Sequence, residues 1–480
     1  MSSITKTANT IQNNPTTSLK RQLGLWTAMF VVMASMIGSG IFGNTGIIQA
    51  AVQNSYAVLI LWILGGIVAL SGALCYAELS TLMPHAGGEY VYLKNIFGLL
   101  PSFLTGWVSF IVAFSAPAAS AGLLAGDYIH KALLVIRPDS EITLFFEDAF
   151  GKKLFGSILI LFFTIVHLVE VKKGGYLQNF LTLLKVILII IFLISGFYVI
   201  FNNQNYNFIS NLKDEPVQWS GIGLGLLFVM FAYSGWNGAS YLAEEIQEPE
   251  KNLPRALIGG TIIVMILYFL LNVLYYWSTP AQQLEGQEAI AAITASNLFG
   301  NNITTFFNIG FFIILLSTIS ATIMIGPRVY YAMARDNLFF QAAAHLHPKF
   351  NTPVMSFIIQ CILAIIYIWS GTYEQIQTYM GFALAIFPLM SVIGLMYLRK
   401  KHPHIKSPYQ TPLYPLFPLI FIIFSIITMI VSYIGRPLEC TIAVIAILTG
   451  IPFYLFWVKV IHKNKSIREI RKSILNYPFQ

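Results

Sequence analysis

Met36-Ile37-Gly38-Ser39-Gly40-Ile41-Phe42 interrupts an apolar segment running from about Trp26 to Val52, and that segment is long enough for a membrane span of about 20 residues. Glycine costs about 1 kcal/mol relative to alanine inside a helix. Two glycines flanking a serine therefore read as a break. A break within lipid frees backbone N–H and C=O groups that need partners in the protein or in cavity water. The stretch points to a bound polar molecule.

The rest of the chain agrees with a lipid setting. Of 480 residues, 56% are hydrophobic and 10% charged, against about 25% charged in a soluble domain. The expected fold class is an all-α polytopic membrane protein. No hydrophilic stretch is long enough for a separate soluble domain, so one membrane domain is expected. The net charge of +8 could suggest nucleic acid, but its distribution follows topology. Lys20, Arg21, Lys94, Lys172, Lys173, Arg335, Arg399, Lys400, Lys401 and the C-terminal basic residues fall on one side. Lys131, Arg137, Lys152, Lys153, Lys213 and Arg436 fall on the other. This positive-inside asymmetry places both termini in the cytoplasm and leaves no reason to expect nucleic-acid binding. Cys75, Cys361 and Cys440 lie in or at the ends of apolar segments without metal-ligand spacing, so neither a metal site nor a disulfide framework is expected. The polar N-terminus has no apolar core of a cleavable signal, so the first span directs insertion.

Taken in order, the chain divides into an N-terminal tail (1–22), a block of five spans (23–201), a second block of five (219–400), two further spans (415–462) and a C-terminal tail (463–480). Pro84-His85-Ala86-Gly87-Gly88-Glu89-Tyr90 reads as a turn between the second and third spans. The sixth span contains Phe231-Ala232-Tyr233-Ser234-Gly235-Trp236-Asn237-Gly238, interrupted like the first. Both breaks thus fall in the opening span of a five-span block. An odd block inverts the second copy relative to the first, the pattern of inverted-repeat transporters, here 5+5 plus two for twelve transmembrane helices.

The half-helix ends created by such breaks carry partial charges. In Gly38-Ser39-Gly40, the free amides at the Ser39 and Gly40 end suit a carboxylate, and freed carbonyls suit an ammonium group, so a zwitterionic amino acid fits both. Lys185 lies in the run Leu183 to Ile190, about 15 Å from the nearest loop and so near the midplane. A central lysine costs about 2.5–3.5 kcal/mol even on lenient scales, so a functional role is the default. Its ammonium either stands in for a sodium ion or titrates. Other residues have plainer readings. Phe231 and Trp236, taken alone, resemble core aromatics. Glu244 and Glu245 are inner-end charges with Arg255 or Arg328 as partners, Glu78 and His85 are loop-end polar groups, and His167 is a hydrogen-bonded core histidine. Gly221-x-Gly223-x-Gly225 follows no strand, and neither a P-loop nor a nucleophile elbow is present. An enzyme, an ATP-driven pump and a cofactor are therefore not expected.

Gly38-Ser39-Gly40-Ile41-Phe42, the run Gly72-Ala73-Leu74-Cys75-Tyr76-Ala77-Glu78-Leu79 leading to Gly87-Gly88-Glu89-Tyr90, and Phe231-Ala232-Tyr233-Ser234-Gly235-Trp236-Asn237 with Asn252-Leu253-Pro254-Arg255 resemble the amino acid–polyamine–organocation superfamily. The likeness is nearest to its L-type amino acid transporter branch and the bacterial serine/threonine exchangers of that branch. The resemblance implies a LeuT-like fold with a moving bundle of spans 1, 2, 6 and 7. It implies that the amides of Ser39 and Gly40 hold the substrate carboxylate, and that carbonyls near Met36, Ile37, Phe231, Ala232 and Ser234 hold its ammonium, with Ile41 beside them. Phe231 becomes the outer gate, with Trp236 next to it, and Lys185 replaces sodium. Two departures stand out. The stretch Lys131 to Lys153 lacks the external cysteine that links animal members to a glycoprotein heavy chain, and Ser234 stands where those members usually have glycine.

The expected function is sodium-independent transport of neutral L-amino acids by alternating access, as an exchanger or a proton symporter, because no acidic side chain is expected near the midplane pocket. The expected location is a plasma membrane of the bacterial inner-membrane kind. The partners are the amino acid substrate and the lipid bilayer, with the protein a monomer or homodimer and no covalently linked heavy chain. A cationic amino acid or polyamine antiporter and a non-transporting amino acid sensor are the alternatives.

Overall fold

A computed structural model describes residues 19–169, 171–203, 206–348, 350, 352–371 and 373–463. Most of the two expected tails lies outside them. The described residues are helical nearly throughout, and the element order follows the apolar runs. The first span is split into α1 (Leu25–Met36) and α2 (Ser39–Val52), and α3 (Ser55–Leu82) follows. Asn54 starts α3 by accepting a hydrogen bond from the Ala57 amide (2.9 Å), the usual role of an N-cap asparagine. The expected turn at Pro84 is a turn only as far as Gly88, because Glu89 opens a short helix, α4 (Glu89–Phe97). The third span is α5 (Leu99–Val108), a π-helical turn and α6 (Ser115–Ile136). The expected external loop contains α7 (Glu141–Glu147), and α8 (Ala149–Val169) and α9 (Val171–Asn202) complete the first half.

In the second half, α10 (Phe208–Asn211) precedes α11 (Trp219–Ala232), after which the chain turns and continues as a 3-10 segment, Gly238–Glu245. The two breaks are therefore unequal: the first resumes as an α-helix and the second does not. Next come α12 (Pro249–Ser278), α13 (Ala281–Leu284), α14 (Ile290–Arg335, bent where Gly300 adopts φ 68°), α15 (Val354–Ser370), α16 (Tyr373–Lys401), α17 (Leu416–Gly435), α18 (Pro437–Leu448) and α19 (Gly450–Lys463).

Ten helical stretches among the described residues are long and apolar enough to cross a membrane. The expected sixth and ninth spans, Trp219–Ala232 and Val354–Ser370, are apolar but fall short of that length at 14 and 17 residues. In Ile303–Arg335, 78% of the most apolar window is buried, whereas in Pro437–Val458 it is 17%, so α14 runs through the core and the last two helices stand at the periphery.

The packing brings the two breaks face to face. α2 lies along α11, and α1 lies against α12 and the 3-10 segment. Contact at the crossing depends on two glycines. A Cβ on Gly40 would lie 2.7 Å from Cα and Cβ of Ala232, and a Cβ on Gly235 would lie 2.7 Å from the carbonyl carbon and oxygen of Ser35. Gly235 also has φ 96°, a region that L side chains rarely adopt. Gly286 has φ 72° but nothing near its missing side chain. Gly235→Ala should therefore lower the melting temperature and monodisperse yield in detergent more than Gly286→Ala, the excess being the overpacking cost of about 1–3 kcal/mol. Equal effects of the two substitutions would mean that the crossing tolerates a methyl group.

Candidate functional site at the helix breaks

Three residues at the first break set its chemistry. α1 ends at Met36, Ile37 and Gly38 are extended, and α2 begins at Ser39 without a side-chain cap. The first N–H groups of a helix have no acceptor within it, and together they form a partial positive end. On the other side of the break the carbonyls are already engaged. The Tyr268 hydroxyl lies in hydrogen-bond reach of the Met36 carbonyl and, at 3.0 Å, of the Ala232 carbonyl, so one side chain ties the two broken helices together. Lys185, fully buried in α9, donates to the carbonyls of Ala34 (3.2 Å) and Ile37 and to the Thr318 hydroxyl (2.9 Å). Thr318 in turn donates to the Ile37 carbonyl at 2.8 Å. An ammonium has three hydrogens, and all three are used.

Met36, Gly38, Ser39, Gly40, Phe231, Ala232, Ser234 and Trp236 line one cavity of about 130 Å³. Ile37 and Ile41 are fully buried beside it without lining it, and Lys185 sits behind the break. The carbonyls of Met36 and Ala232 keep a second lone pair each, that of Ile37 is already taken by both Lys185 and Thr318, and Phe231 O accepts from the Ser234 amide (2.8 Å). Phe231 and Trp236 are 7% and 5% exposed, and Trp236 packs edge-on against Tyr76 with centroids 4.7 Å apart. The cavity takes Ser35 and Met36 from α1 but nothing of α2 beyond Gly40. Two residues further along α2, Phe42 joins Tyr128, Phe192 and Phe307 around Phe311, with Phe42, Tyr128 and Phe192 centroids 5.2–5.3 Å from Phe311. This buried aromatic layer closes the α2 side of the site.

The expected absence of an acidic side chain from the pocket does not hold. Glu89, read from sequence as part of a turn, is buried and lines the cavity. It accepts from the Tyr76 hydroxyl (2.9 Å) and from Nδ2 of Asn237 (2.5 Å), and the Tyr241 hydroxyl is a third donor. Burial pushes its carboxyl up to about 7, against the lowering effect of those three donors. Gly87 and Gly88 with φ 116° and 52° turn the chain to bring it there, and a Cβ on Gly88 would lie 2.8 Å from the Tyr241 ring. In the sequence the Gly-Gly pair just before this carboxylate looks like any loop. Tyr268 and Thr318 were missed as well, being single hydroxyls within apolar runs.

Away from the cavity, Glu245 pairs with Arg328 as expected (2.9 Å, both side chains at most 3% exposed), while Glu244 pairs with Arg335 (3.1 Å) rather than Arg255. Glu78 is not a simple loop-end charge, since it binds Arg399 through two hydrogen bonds (2.8 and 2.5 Å) and accepts from the Thr411 amide. His167 is hydrogen-bonded to Ser320 at 2.8 Å.

A helical membrane protein whose two broken helices face each other across a small, mainly apolar cavity is built as a carrier of small molecules rather than as a catalyst. Residues 23–452 match the Amino acid permease family. The chain belongs to that family, within the superfamily its motifs resemble, whose members are membrane transporters and not enzymes. It is 31% identical to the mouse b(0,+)-type amino acid transporter 1 over 92% of this chain and 89% of the relative. It is 30% identical to the serine/threonine exchanger SteT of Bacillus subtilis, over 91% and 96%. It is also 30% identical to the mouse large neutral amino acids transporter small subunit 2, over 95% and 85%.

The Glu245–Arg328 pair sets a stability test. Removing one partner of a buried pair leaves an uncompensated charge and costs about 3–5 kcal/mol, whereas replacing both with apolar residues is often neutral. Arg328→Met should melt well below the wild type in detergent, and adding Glu245→Leu should restore most of the loss. A double variant as unstable as the single one would show that the pair does more than neutralise itself.

Proposed function

We propose that the chain is a sodium-independent transporter of neutral L-amino acids, working by alternating access as an exchanger or proton-coupled symporter. The observation that carries this reading is the Lys185 ammonium held by the carbonyls of Ala34 and Ile37 at the first break. A cation fixed there supplies the charge that a bound sodium ion would otherwise bring. In this reading the amides of Ser39 and Gly40, next to Gly38, take the substrate carboxylate. The remaining lone pairs at Met36, Phe231, Ala232 and Ser234 take its ammonium, and Ile37, whose carbonyl is held by Lys185 and Thr318, packs behind them with Ile41. Phe231 and Trp236 form the gate over it. The aromatic layer around Phe311 is then the seal on one side, which opens when the side at α1 closes.

The family's membership and the relatives named as amino acid transporters and exchangers support amino acids as cargo. Neutral substrates fit because the three donors to Glu89 already satisfy its carboxylate. Transport of cationic amino acids is the second reading, favoured by that same carboxylate on the cavity wall. The proposed topology has two inverted blocks, 23–201 and 219–400, twelve spans and both termini in the cytoplasm of a bacterial-type inner membrane. The protein works as a monomer or homodimer without a covalent heavy chain, since Lys131 to Lys153 has no cysteine.

Purified protein in proteoliposomes should take up labelled neutral amino acids equally with and without sodium, and a panel of unlabelled amino acids at two pH values should identify the substrate. No uptake, with or without internal counter-substrate, would refute transport, and competition by arginine or lysine alone would establish the cationic reading. Lys185→Ala should abolish net uptake or its pH dependence. Uptake unchanged across pH in that variant would remove Lys185 from the mechanism.

A further inference from the structure

An open groove lies where α16 ends and α17 begins, lined by Ile393, Met396, Tyr397, Arg399, Lys400 and Tyr414. It shares no residue with the cavity at the helix breaks. Ile393, Met396, Tyr397 and Lys400 are spaced i, i+3, i+4, i+7 and so occupy one face of α16. That face changes character along its length. The aliphatic pair belongs to the apolar span Phe382–Lys401, the phenol follows it, and the lysine comes last. Such an order over two turns matches the hydrocarbon, headgroup and water layers at a bilayer surface. Ile393, Tyr397, Lys400 and Tyr414 are all exposed, so the face is open to lipid.

The charge beside the groove is of one sign. Between Glu374 and Glu439 the sequence has no acidic residue, whereas Arg399, Lys400, Lys401 and Lys406 fall close together. Lys400 forms no ion pair among the described residues. Lys401 donates to the Tyr397 hydroxyl (2.7 Å), a neutral partner that leaves its charge uncompensated. Arg399 is only half spent. Its Nε and one Nη donate to the two oxygens of the buried Glu78 (2.8 and 2.5 Å), and its Cζ lies 4.2 Å from the centroid of the Tyr414 ring. The other Nη has no acceptor among the described residues, so both of its hydrogens are available to an oxyanion.

We propose that this groove binds one anionic phospholipid from the leaflet that meets the basic helix ends, with its phosphate between Lys400 and the free edge of Arg399 and an acyl chain along Met396 and Ile393. Lys401 adds its charge from beside Tyr397. A zwitterionic headgroup would bring its own ammonium among these cations and is disfavoured. A free phosphate ester has no chain to cover the apolar half of the face. Arg399 also ties α16 to α3 through Glu78, so the lipid sits on a joint between two spans and stabilises the folded protein when it binds. The site goes beyond the transport reading and does not depend on what the chain carries.

The test follows the melting of full-length, lipid-stripped protein in detergent as dioleoylphosphatidylglycerol, dioleoylphosphatidylcholine or glycerophosphoglycerol is added. Each Lys or Arg near an anionic lipid surface is worth about fivefold in affinity. Phosphatidylglycerol should therefore raise the melting temperature with a midpoint roughly 25-fold below that of phosphatidylcholine, the share of Lys400 and Lys401 together. Lys400→Gln and Lys401→Gln should each raise the phosphatidylglycerol midpoint about fivefold. Both lysines are exposed, so neither substitution threatens folding. Arg137→Gln, on the opposite side of the membrane in the proposed topology, should leave the midpoint unchanged, and glycerophosphoglycerol, the headgroup without chains, should give no shift. Equal midpoints for the two lipids overturn the proposal and make the groove an apolar contact for any lipid. A phosphatidylglycerol midpoint that both lysine variants leave unchanged also overturns it, since the preference then belongs to the basic face as a whole. A shift from glycerophosphoglycerol as large as that from the lipid overturns it in favour of a soluble phosphate ester. Melting is read without flux, so a protein that moves no amino acid refutes transport while the lipid site is still decided.

Discussion

A backbone that leaves its helix in an apolar surrounding must have its polar groups answered from elsewhere, and in this protein that demand organises the core. Ile37 and Gly38 step out of the helix, and four elements contribute to meeting the demand. α9 sends Lys185, α14 sends Thr318, α12 sends Tyr268, and α11 comes close enough for Gly40 to touch Ala232. Each contribution constrains the next. Tyr268 reaches both Met36 and Ala232 only because the two broken helices are in contact, and they are in contact only because Gly40 and Gly235 carry no side chain.

The same demand separates the two poles of the site. Carbonyls on the α1 side are largely engaged by protein donors, whereas the N-terminal end of α2 starts without a side-chain cap. A ligand entering the cavity meets a positive helix end and a set of second lone pairs. It also meets a wall built from the α4 start, where a carboxylate, three tyrosines and an asparagine form a compact polar cluster. That cluster joins α3, α4 and the segment after α11, so the cavity has one wall whose chemistry comes from side chains rather than from freed backbone groups.

Much of this was legible in the sequence. The break at Gly38 to Gly40, its counterpart at Phe231 to Gly238, and a lysine deep in an apolar run are local signals, because each violates the rule that a span should be apolar and helix-forming. The Glu245–Arg328 pair was also foreseeable, both charges lying at the ends of apolar runs. Glu89 was not legible, because two glycines before a carboxylate look like any loop until the fold shows that the loop turns inward. Tyr268 and Thr318 were hidden for a related reason: a hydroxyl within an apolar helix is ordinary, and only the neighbouring helix reveals what it faces. The unequal continuation of the two breaks was illegible too, since 3-10 and α-helical backbones place similar demands on composition.

That inequality has a mechanical consequence. A 3-10 run rises about 2.0 Å per residue against 1.5 Å in an α-helix, has poorer hydrogen-bond geometry and seldom exceeds four residues. Gly238–Glu245 holds this form for eight. Recoiling it into an α-helix would shorten it by about 4 Å, with one end moored by the Asn237–Glu89 contact and the other by the Glu245–Arg328 pair. The segment is thus a stretched coil between two fixed posts, and the length it can give up is of the order of one side-chain layer.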